Sequence, residues 1–131
     1  MTARFAAAPP PPAAAAAARD LEAFGPLTAQ SYREPASGAL IHCFVPPGAS
    51  ATELAPFAWE LAQAMAQGPQ AGPLGSFHSA VLRSGRERLE IRRLPSAADP
   101  APVLVVAGAD TGRPGLARLQ VERAAARLSA A

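Results

Sequence analysis

The sequence predicts a small α/β sandwich of the α+β class, in which a five-stranded antiparallel sheet carries helices on both faces. Short apolar or alternating runs bounded by turn residues indicate five strands. Alanine-rich and amphipathic segments between them indicate three helices. The 131 residues suffice for one hydrophobic core. In the order α-β-β-α-β-β-β-α, these elements predict one domain at residues 13–131 after a low-complexity tail at residues 1–12.

The first helix and the tail are predicted from alanine and proline. Four consecutive prolines at residues 9–12 favour extended polyproline II geometry. The alanine run that follows has high helix propensity and leads to Leu21 and Phe24. A helix at residues 13–24 is therefore expected, and Gly25 followed by proline ends it.

A hairpin and a second helix follow. Strands are predicted at residues 27–33 and 39–44, joined by a turn that contains Pro35 and Gly38. Ser50 and Glu53 have the spacing of a capping box, which predicts the start of the second helix. The proline at residue 56 leaves that start open by one turn.

The second helix is predicted to have two apolar surfaces. Phe57, Leu61 and Met65 are spaced as one core-facing stripe. Trp59 falls outside that stripe, and an apolar side chain beyond the core face indicates a contact with something else. We expect one surface to cover the sheet and the other to meet a partner.

Three strands and a closing helix complete the chain. Strands are predicted at residues 77–83, 86–94 and 102–107, and the helix at residues 114–128. Because turns join these strands, they are expected to form an antiparallel meander. In the middle strand, charged residues alternate with Leu89 and Ile91, which predicts one solvent-exposed face.

Charge on that hairpin is the one feature that suggests nucleic acid. Its local charge of about +3 suits an acidic partner surface or RNA, but no aromatic side chains interleave with it for base stacking. A solvated strand face is the favoured interpretation. The residues concerned are Arg83, Arg86, Arg88, Arg92 and Arg93, offset by Glu87 and Glu90.

Composition and reactive residues argue against an enzyme. The formal net charge is +2, and Cys43 is the single cysteine. Neighbouring strand residues point to opposite faces, so Cys43 and His42 do not form a nucleophile–base pair, while a pair of Cys43 with His78 stays conceivable. Two histidines and one cysteine without regular spacing do not predict a metal site. We expect no catalytic residue and no cofactor.

Location and partner class are also bounded by composition. A lone cysteine fits a reducing cytoplasm, and no apolar run reaches the roughly 18–20 residues that span a bilayer. So small a net charge does not point to nucleic acid as the main partner. A cytoplasmic protein without membrane insertion and without nucleic acid is therefore expected.

The segment at residues 102–119 carries a resemblance. There an apolar strand, PVLVVA, passes through the polar loop GADTG towards the helical run LARL. This segment and the order of elements resemble the roadblock/LC7 family, whose members share a profilin-like α/β sandwich. The resemblance covers roughly residues 19–131 and implies a homodimer that acts as scaffold or regulator of a small Ras-like GTPase or signalling assembly.

The resemblance also implies where the dimer forms. Middle helices pack against one another and sheets join edge to edge in such a dimer, so residues 77–82 are the expected pairing edge. The expected interface residues are Phe57, Trp59, Leu61, Met65, Phe77, His78, Ser79, Ala80, Val81 and Leu82. The alternative is a profilin- or PAS-like sensor that binds a small ligand between sheet and helix, for which a monomer is expected.

Overall fold

A computed structural model describes residues 4–67, 79–94 and 100–130 of the chain. Within these ranges it forms six strands, three α-helices and one short 3-10 turn. In chain order the elements are β1 Ala6–Ala8, α1 Ala14–Asp20, the 3-10 turn Glu22–Phe24, β2 Thr28–Arg33, β3 Leu40–Val45, α2 Leu54–Gln67, β4 Ser79–Ser84, β5 Glu87–Arg93, β6 Val103–Ala109 and α3 Pro114–Ala130.

The strands form one mixed sheet in the order β1-β2-β3-β6-β5-β4. Strands β3 and β6 run parallel, while the other neighbouring pairs are antiparallel. The α+β class is thus confirmed, as are the β2–β3 hairpin and the β4–β5–β6 meander. The predicted five-stranded, fully antiparallel sheet is wrong in strand count, order and direction.

The parallel pair lies at the centre of the sheet. Residues 41–45 of β3 and 103–106 of β6 are buried on both faces, as central covered strands are. Parallel neighbours need a long crossover connection, and here α2 and the β4–β5 hairpin supply it. Hydrophobic pattern alone does not reveal this pairing, because it gives the burial of each strand but not its neighbour.

The sixth strand comes from the predicted tail. Ala6, Ala7 and Ala8 pair antiparallel with Arg33, Tyr32 and Ser31 at the outer edge of β2. Alanine is a poor strand former, but the free N–H and C=O groups of β2 provide a template that overrides local preference. Three residues of the predicted tail thus form an edge strand of the sheet.

Two hydrophobic cores lie on opposite faces of the sheet. We call the face covered by α1 and α3 the α3 face, and the face covered by α2 the α2 face. Alternate residues of β3 divide between them, with Phe44 on the α3 face and both Ile41 and Cys43 on the α2 face. The sandwich is therefore three layers deep, with helices on both sides of the sheet.

The 3-10 turn is locked between β6 and α3. The Ala23 N–H donates to Gln120 Oε1 at 2.7 Å, and the Thr111 hydroxyl donates to the Ala23 carbonyl at 2.9 Å. Gly108 lies so close beneath that a Cβ there would stand 2.6 Å from the Phe24 carbonyl oxygen. Only glycine admits this approach without a shift of the backbone.

The loop before α2 is fixed to the sheet by a side chain of β2. Gln30 Nε2 donates to the Ala49 carbonyl at 2.8 Å, and Gln30 Oε1 accepts from the Ala51 N–H at 3.1 Å. Ser50 Oγ accepts from the Thr52 N–H at 3.3 Å, and the regular helix begins at Leu54. The predicted capping serine thus bonds one residue earlier than a capping box requires.

Candidate protein-interaction surface

Strand β4 ends the sheet and carries exposed apolar side chains. In the part of the chain that the structure describes, β4 pairs with β5 on one side and with no strand on the other. Val81 is 46 % exposed and Leu82 is 43 % exposed. An edge strand with unpaired backbone groups and apolar side chains is a template for pairing with another chain.

The register with β5 assigns the side chains of β4 to the two faces. Leu82 lies opposite Leu89, which packs in the core beneath α2. Val81 lies opposite Glu90, the next residue along β5 and hence on the α3 face. The predicted edge residues therefore divide, with Ala80 and Leu82 on the α2 face and Ser79 and Val81 on the α3 face.

Helix α2 meets the sheet through small residues rather than through its largest ones. Its buried stripe consists of Ala55, Ala58, Ala62 and Met65. Phe57, predicted to be in the core, is instead exposed on this helix. Alanines bring the helix axis close to the sheet, so most of the larger side chains lie along the flanks of the helix. Of the predicted stripe, Met65 is buried and Leu61 partly buried.

One flank of α2 faces the β4 side of the molecule. Leu54, Phe57 and Leu61 are spaced by three and four residues and so follow one another along the helix. Leu54 and Leu82 line the same cavity, whose volume is about 610 Å³. Leu54 thus adjoins the α2 face of β4, and Phe57 and Leu61 follow it along the same flank of the helix.

The other flank carries Trp59 and faces the β1–β2 side. A helical turn of about 100° per residue separates Trp59 from Leu61 by about 200°. Trp59 lines a cavity of about 450 Å³ together with Phe5, Glu34 and Pro56. The sequence-predicted interface is thus divided, because Trp59 lies away from β4. Phe77 and His78 lie outside the described residues.

A row of charged side chains on β5, which we call the arginine row, comprises Arg88, Glu90 and Arg92. Glu90 Oε1 lies 3.3 Å from a terminal nitrogen of Arg88, and Glu90 Oε2 lies 3.1 Å from one of Arg92. The side chains of Arg88 and Glu90 are 7 % and 3 % exposed. The predicted solvent-exposed face is therefore wrong for these two residues.

Packing of the 3-10 turn explains this burial. The Arg88 guanidinium carbon lies 5.9 Å from the centroid of the Phe24 ring, within the range of a cation–π contact. Phe24 reaches this position because Gly108, which pairs with Arg88, lets the 3-10 turn approach β6. Charge alternation along β5 indicated a wet face, since nothing in that pattern reveals what the 3-10 turn covers.

Cys43 and His42, which were considered for catalysis, lie on opposite faces of the sheet. The Cys43 side chain is buried on the α2 face, and burial raises the pKa of its thiol to about 12. His42 points to the opposite face, where its Nδ1 lies 3.0 Å from Ser31 Oγ. Burial lowers the pKa of His42. Cys43 is therefore a protonated core thiol at neutral pH, and His42 does not act as its base. His78, the other conceivable partner of Cys43, lies outside the described residues.

Two further properties concern metals and membranes. Over the described ranges, no group of three or more His, Cys, Asp or Glu side chains is placed to hold a metal ion. None of the helices within those ranges combines the length and apolarity needed to cross a bilayer.

Comparison of the chain with models of protein families, with curated proteins and with solved structures found no match in any of the three. The roadblock/LC7 resemblance accordingly rests on the order of elements and on residues 102–119. The surface itself is defined by β4 and the adjoining flank of α2. Sequence reasoning placed a strand at β4 and noted the charges of the arginine row, but it did not predict that Arg88 and Glu90 are buried.

Proposed function

We propose that the chain is a cytoplasmic, non-enzymatic protein-binding module that forms a homodimer through β4. In this proposal the dimer acts as scaffold or regulator of a small Ras-like GTPase or signalling assembly. The observation that carries the dimer is the edge strand with exposed Val81 and Leu82. The partner class comes from the roadblock/LC7 resemblance.

A two-fold axis normal to the sheet allows β4 to pair antiparallel with a second copy. In this arrangement, residues that lie directly opposite each other in the two copies are on the same face of the joined sheet. Odd-numbered residues of one copy therefore lie opposite odd-numbered residues of the other. If Val81 opposes its own copy, Ala80 opposes Leu82 and Ser79 opposes Arg83. This register joins the two sheets and places no arginine directly opposite another, which avoids the cost of opposed like charges.

The α2 flank enlarges the apolar part of this contact. Phe57 is 46 % exposed and lies on the same flank as Leu54 and Leu61. Complete burial of a large apolar side chain contributes about 1.5–3 kcal/mol, so a half-exposed one adds about 1 kcal/mol on association. Phe57 and Leu82 together with new backbone hydrogen bonds provide the free energy that favours a dimer.

Light scattering of purified protein tests the dimer. The wild-type chain is expected at twice its monomer mass, and Leu82→Glu is expected at the monomer mass because it inserts a charge into the apolar contact. Leu119→Glu is the matched control, since Leu119 is 47 % exposed on α3. A monomeric wild-type protein, or equal effects of the two substitutions, would contradict the proposal.

The partner class needs a separate test. A panel of small Ras-like GTPases in their GDP- and GTP-bound forms is titrated against the wild-type dimer and against Leu82→Glu. The proposal predicts that at least one member binds the dimer more tightly than the monomeric variant. If no GTPase of the panel binds, the GTPase partner is removed from the proposal. The dimer is unaffected by that result, because light scattering tests it separately.

A second candidate, a small-ligand sensor, is favoured by the cavity of about 610 Å³ between α2 and the β4–β5 hairpin. Leu54, Leu82 and Leu89 give it apolar walls, as ligand pockets commonly have. A sensor predicts saturable binding of a fluorescent apolar probe to a monomer, abolished by Leu54→Trp. Binding that is not saturable, or that Leu54→Trp leaves unchanged, would exclude this candidate.

A further inference from the structure

The arginine row has more guanidinium groups than carboxylates. Two guanidinium groups, of Arg88 and Arg92, share the single carboxylate of Glu90. The Nε atoms of both arginines are buried, and neither has a hydrogen-bond partner among the described residues. Buried charged groups that keep unpaired donors are costly, and native proteins normally satisfy them. Within the described residues, the row therefore has one carboxylate for two guanidinium groups.

The adjoining strand does not supply the missing anion. On the α3 face of β4, Ser79 lies opposite Arg92 and Arg83 lies opposite Arg88. Arg83 is held by Asp110, whose Oδ2 is 3.2 Å from the Arg83 Nε. Arg83 thus adds a positive charge that Asp110 already balances. Across the described residues of this surface, one positive charge remains in excess.

The excess charge is reachable from solvent. The side chain of Arg92 is 18 % exposed and that of Arg83 is 51 % exposed. Val81 stands between them on β4, exposed and apolar. A charged group beside an apolar side chain on an open strand edge is the composition that protein interfaces favour, with arginine enriched among energetically dominant residues.

We propose that Arg83, Val81 and the arginine row form a docking site for a carboxylate-bearing segment of an acidic partner protein. Guanidinium groups bind carboxylates through paired, charge-assisted hydrogen bonds, and the exposed parts of the Arg92 and Arg83 side chains are the ones that a partner can reach. The site goes beyond the proposed dimer, because it is complete within one copy. In the dimer register given above, Ser79 of one copy lies beside Arg83 of the other, so two such sites adjoin.

A designed carboxylate tests the charge excess directly. Ser79→Glu places an acid opposite Arg92 and is expected to raise the thermal unfolding midpoint. Ser84→Glu is the matched control, because Ser84 lies opposite Glu87 in the same strand pair and is expected to lower the midpoint or leave it unchanged. An unchanged or lower midpoint for Ser79→Glu would overturn the charge excess.

Peptide binding tests the partner. A fluorescein-labelled peptide of eight glutamates, compared with one of eight glutamines, is titrated against the full chain at low ionic strength. The proposal predicts binding of the glutamate peptide alone, weakened about tenfold by Arg92→Gln. Arg118→Gln is the control, because the Arg118 side chain is 77 % exposed on α3 and pairs with Glu122. If both substitutions weaken peptide binding equally, binding depends on net charge alone, and the proposed site is overturned.

Three further measurements keep the outcome decisive. If Arg92→Gln is unstable, Arg83→Gln replaces it as the test. Because the Arg83 side chain is exposed, Arg83→Gln is expected to weaken binding of the glutamate peptide without unfolding the protein. Leu82→Glu acts on the other face and is expected to lose the dimer but keep peptide binding, which separates failure of this site from failure of the dimer. Inorganic phosphate that displaces the peptide at matched ionic strength would identify a small-anion site and contradict an acidic partner.

Discussion

The two edge strands of the sheet differ in length and in exposed side chains. At one edge, β1 covers β2 with three alanines, whose side chains add almost no chemistry. At the other, β4 is six residues long and exposes Val81 and Leu82. A protein that leaves both edges free invites uncontrolled association, so covering one edge directs pairing to the other. The difference identifies β4 as the edge available for a partner.

The aromatic residues follow the same division. Phe5, just before β1, packs against the core beneath α2, and Trp59 packs there as well. Both line the cavity at the β1–β2 side. Trp59 is therefore part of the packing near the covered edge. Phe57 is the aromatic side chain of α2 that remains exposed on the flank towards β4.

The substitution with the largest expected effect on the free energy of unfolding is at Gly108, on β6 between the two edges. Its loss of stability is the reference for global destabilisation. Gly108→Ala forces a Cβ to within 2.6 Å of the Phe24 carbonyl oxygen. Such overpacking typically costs about 1–3 kcal/mol, and we expect a value near the upper end because the contact is to backbone. Urea unfolding measures the change.

The control for this substitution is Gly115→Ala in α3, where a Cβ meets nothing within 4 Å. It is expected to leave the free energy of unfolding unchanged or to raise it by up to about 1 kcal/mol. Equal losses for the two glycines would mean that the Phe24 approach does not constrain Gly108.

Removal of the covered edge is expected to have the next largest effect. A chain lacking residues 1–8 loses β1 and the Phe5 contact, and it exposes the backbone groups of β2. We expect a loss of about 1–2 kcal/mol, the scale of one partly buried aromatic side chain. Both edges are then open, so sedimentation velocity is expected to show species larger than a dimer. A truncated protein that keeps the wild-type mass distribution would contradict the role given to β1.

Trp59→Glu distinguishes the two edges at a smaller cost. Because Trp59 lies on the flank away from β4, the substitution is expected to lower stability by about 1 kcal/mol and to leave the dimer intact. Light scattering at a fixed protein concentration gives the mass, with Leu82→Glu alongside as the dissociated reference. A monomeric Trp59→Glu protein would move the interface to the covered side.

The smallest expected effect concerns the pH dependence of the centre of the sheet. Burial lowers the pKa of His42 below its ordinary value of 6.5. The unfolded chain therefore binds a proton more readily than the folded one, so the free energy of unfolding falls as pH drops below about 6.5. Hydrogen bonding to Ser37 lowers the pKa of Glu34 below 4.5, which adds a second loss at more acidic pH.

Replacement of both hydrogen-bonded partners isolates the contribution of the histidine. The double variant Ser31→Ala with His42→Leu removes the buried pair together and avoids leaving one group unsatisfied. Urea unfolding between pH 7 and pH 5 is expected to give a flatter profile for this variant than for the wild type. Parallel profiles would assign the slope to other groups.

Sequence reasoning predicted the elements whose signal is local. The alternation of Leu89 and Ile91 with charged residues identified β5, and the prolines and glycines placed the turns near their observed positions. The existence of α2 was also correct, although its buried side was not. Phe57 was assigned to the core from its spacing with Leu61 and Met65, whereas the helix packs through alanines such as Ala58.

What the sequence did not reveal depends on contacts distant along the chain. The pairing of Ala7 with Tyr32 comes from the free edge of β2 rather than from any strand preference of alanine. Burial of Arg88 depends on Phe24, which lies on another element far earlier in the chain. For the interaction surface, the pattern located β4 but gave no indication that Trp59 belongs to the opposite side.

Amide hydrogen exchange of the two edge strands tests the central claim most directly. Exchange is followed for the amides of β1 and β4 at protein concentrations well above and well below the dimer dissociation constant. If β4 is the dimer edge, its outward-facing amides exchange more slowly as concentration rises, while those of β1 keep one rate. Amides of β4 that exchange at the same rate at every concentration would contradict the account.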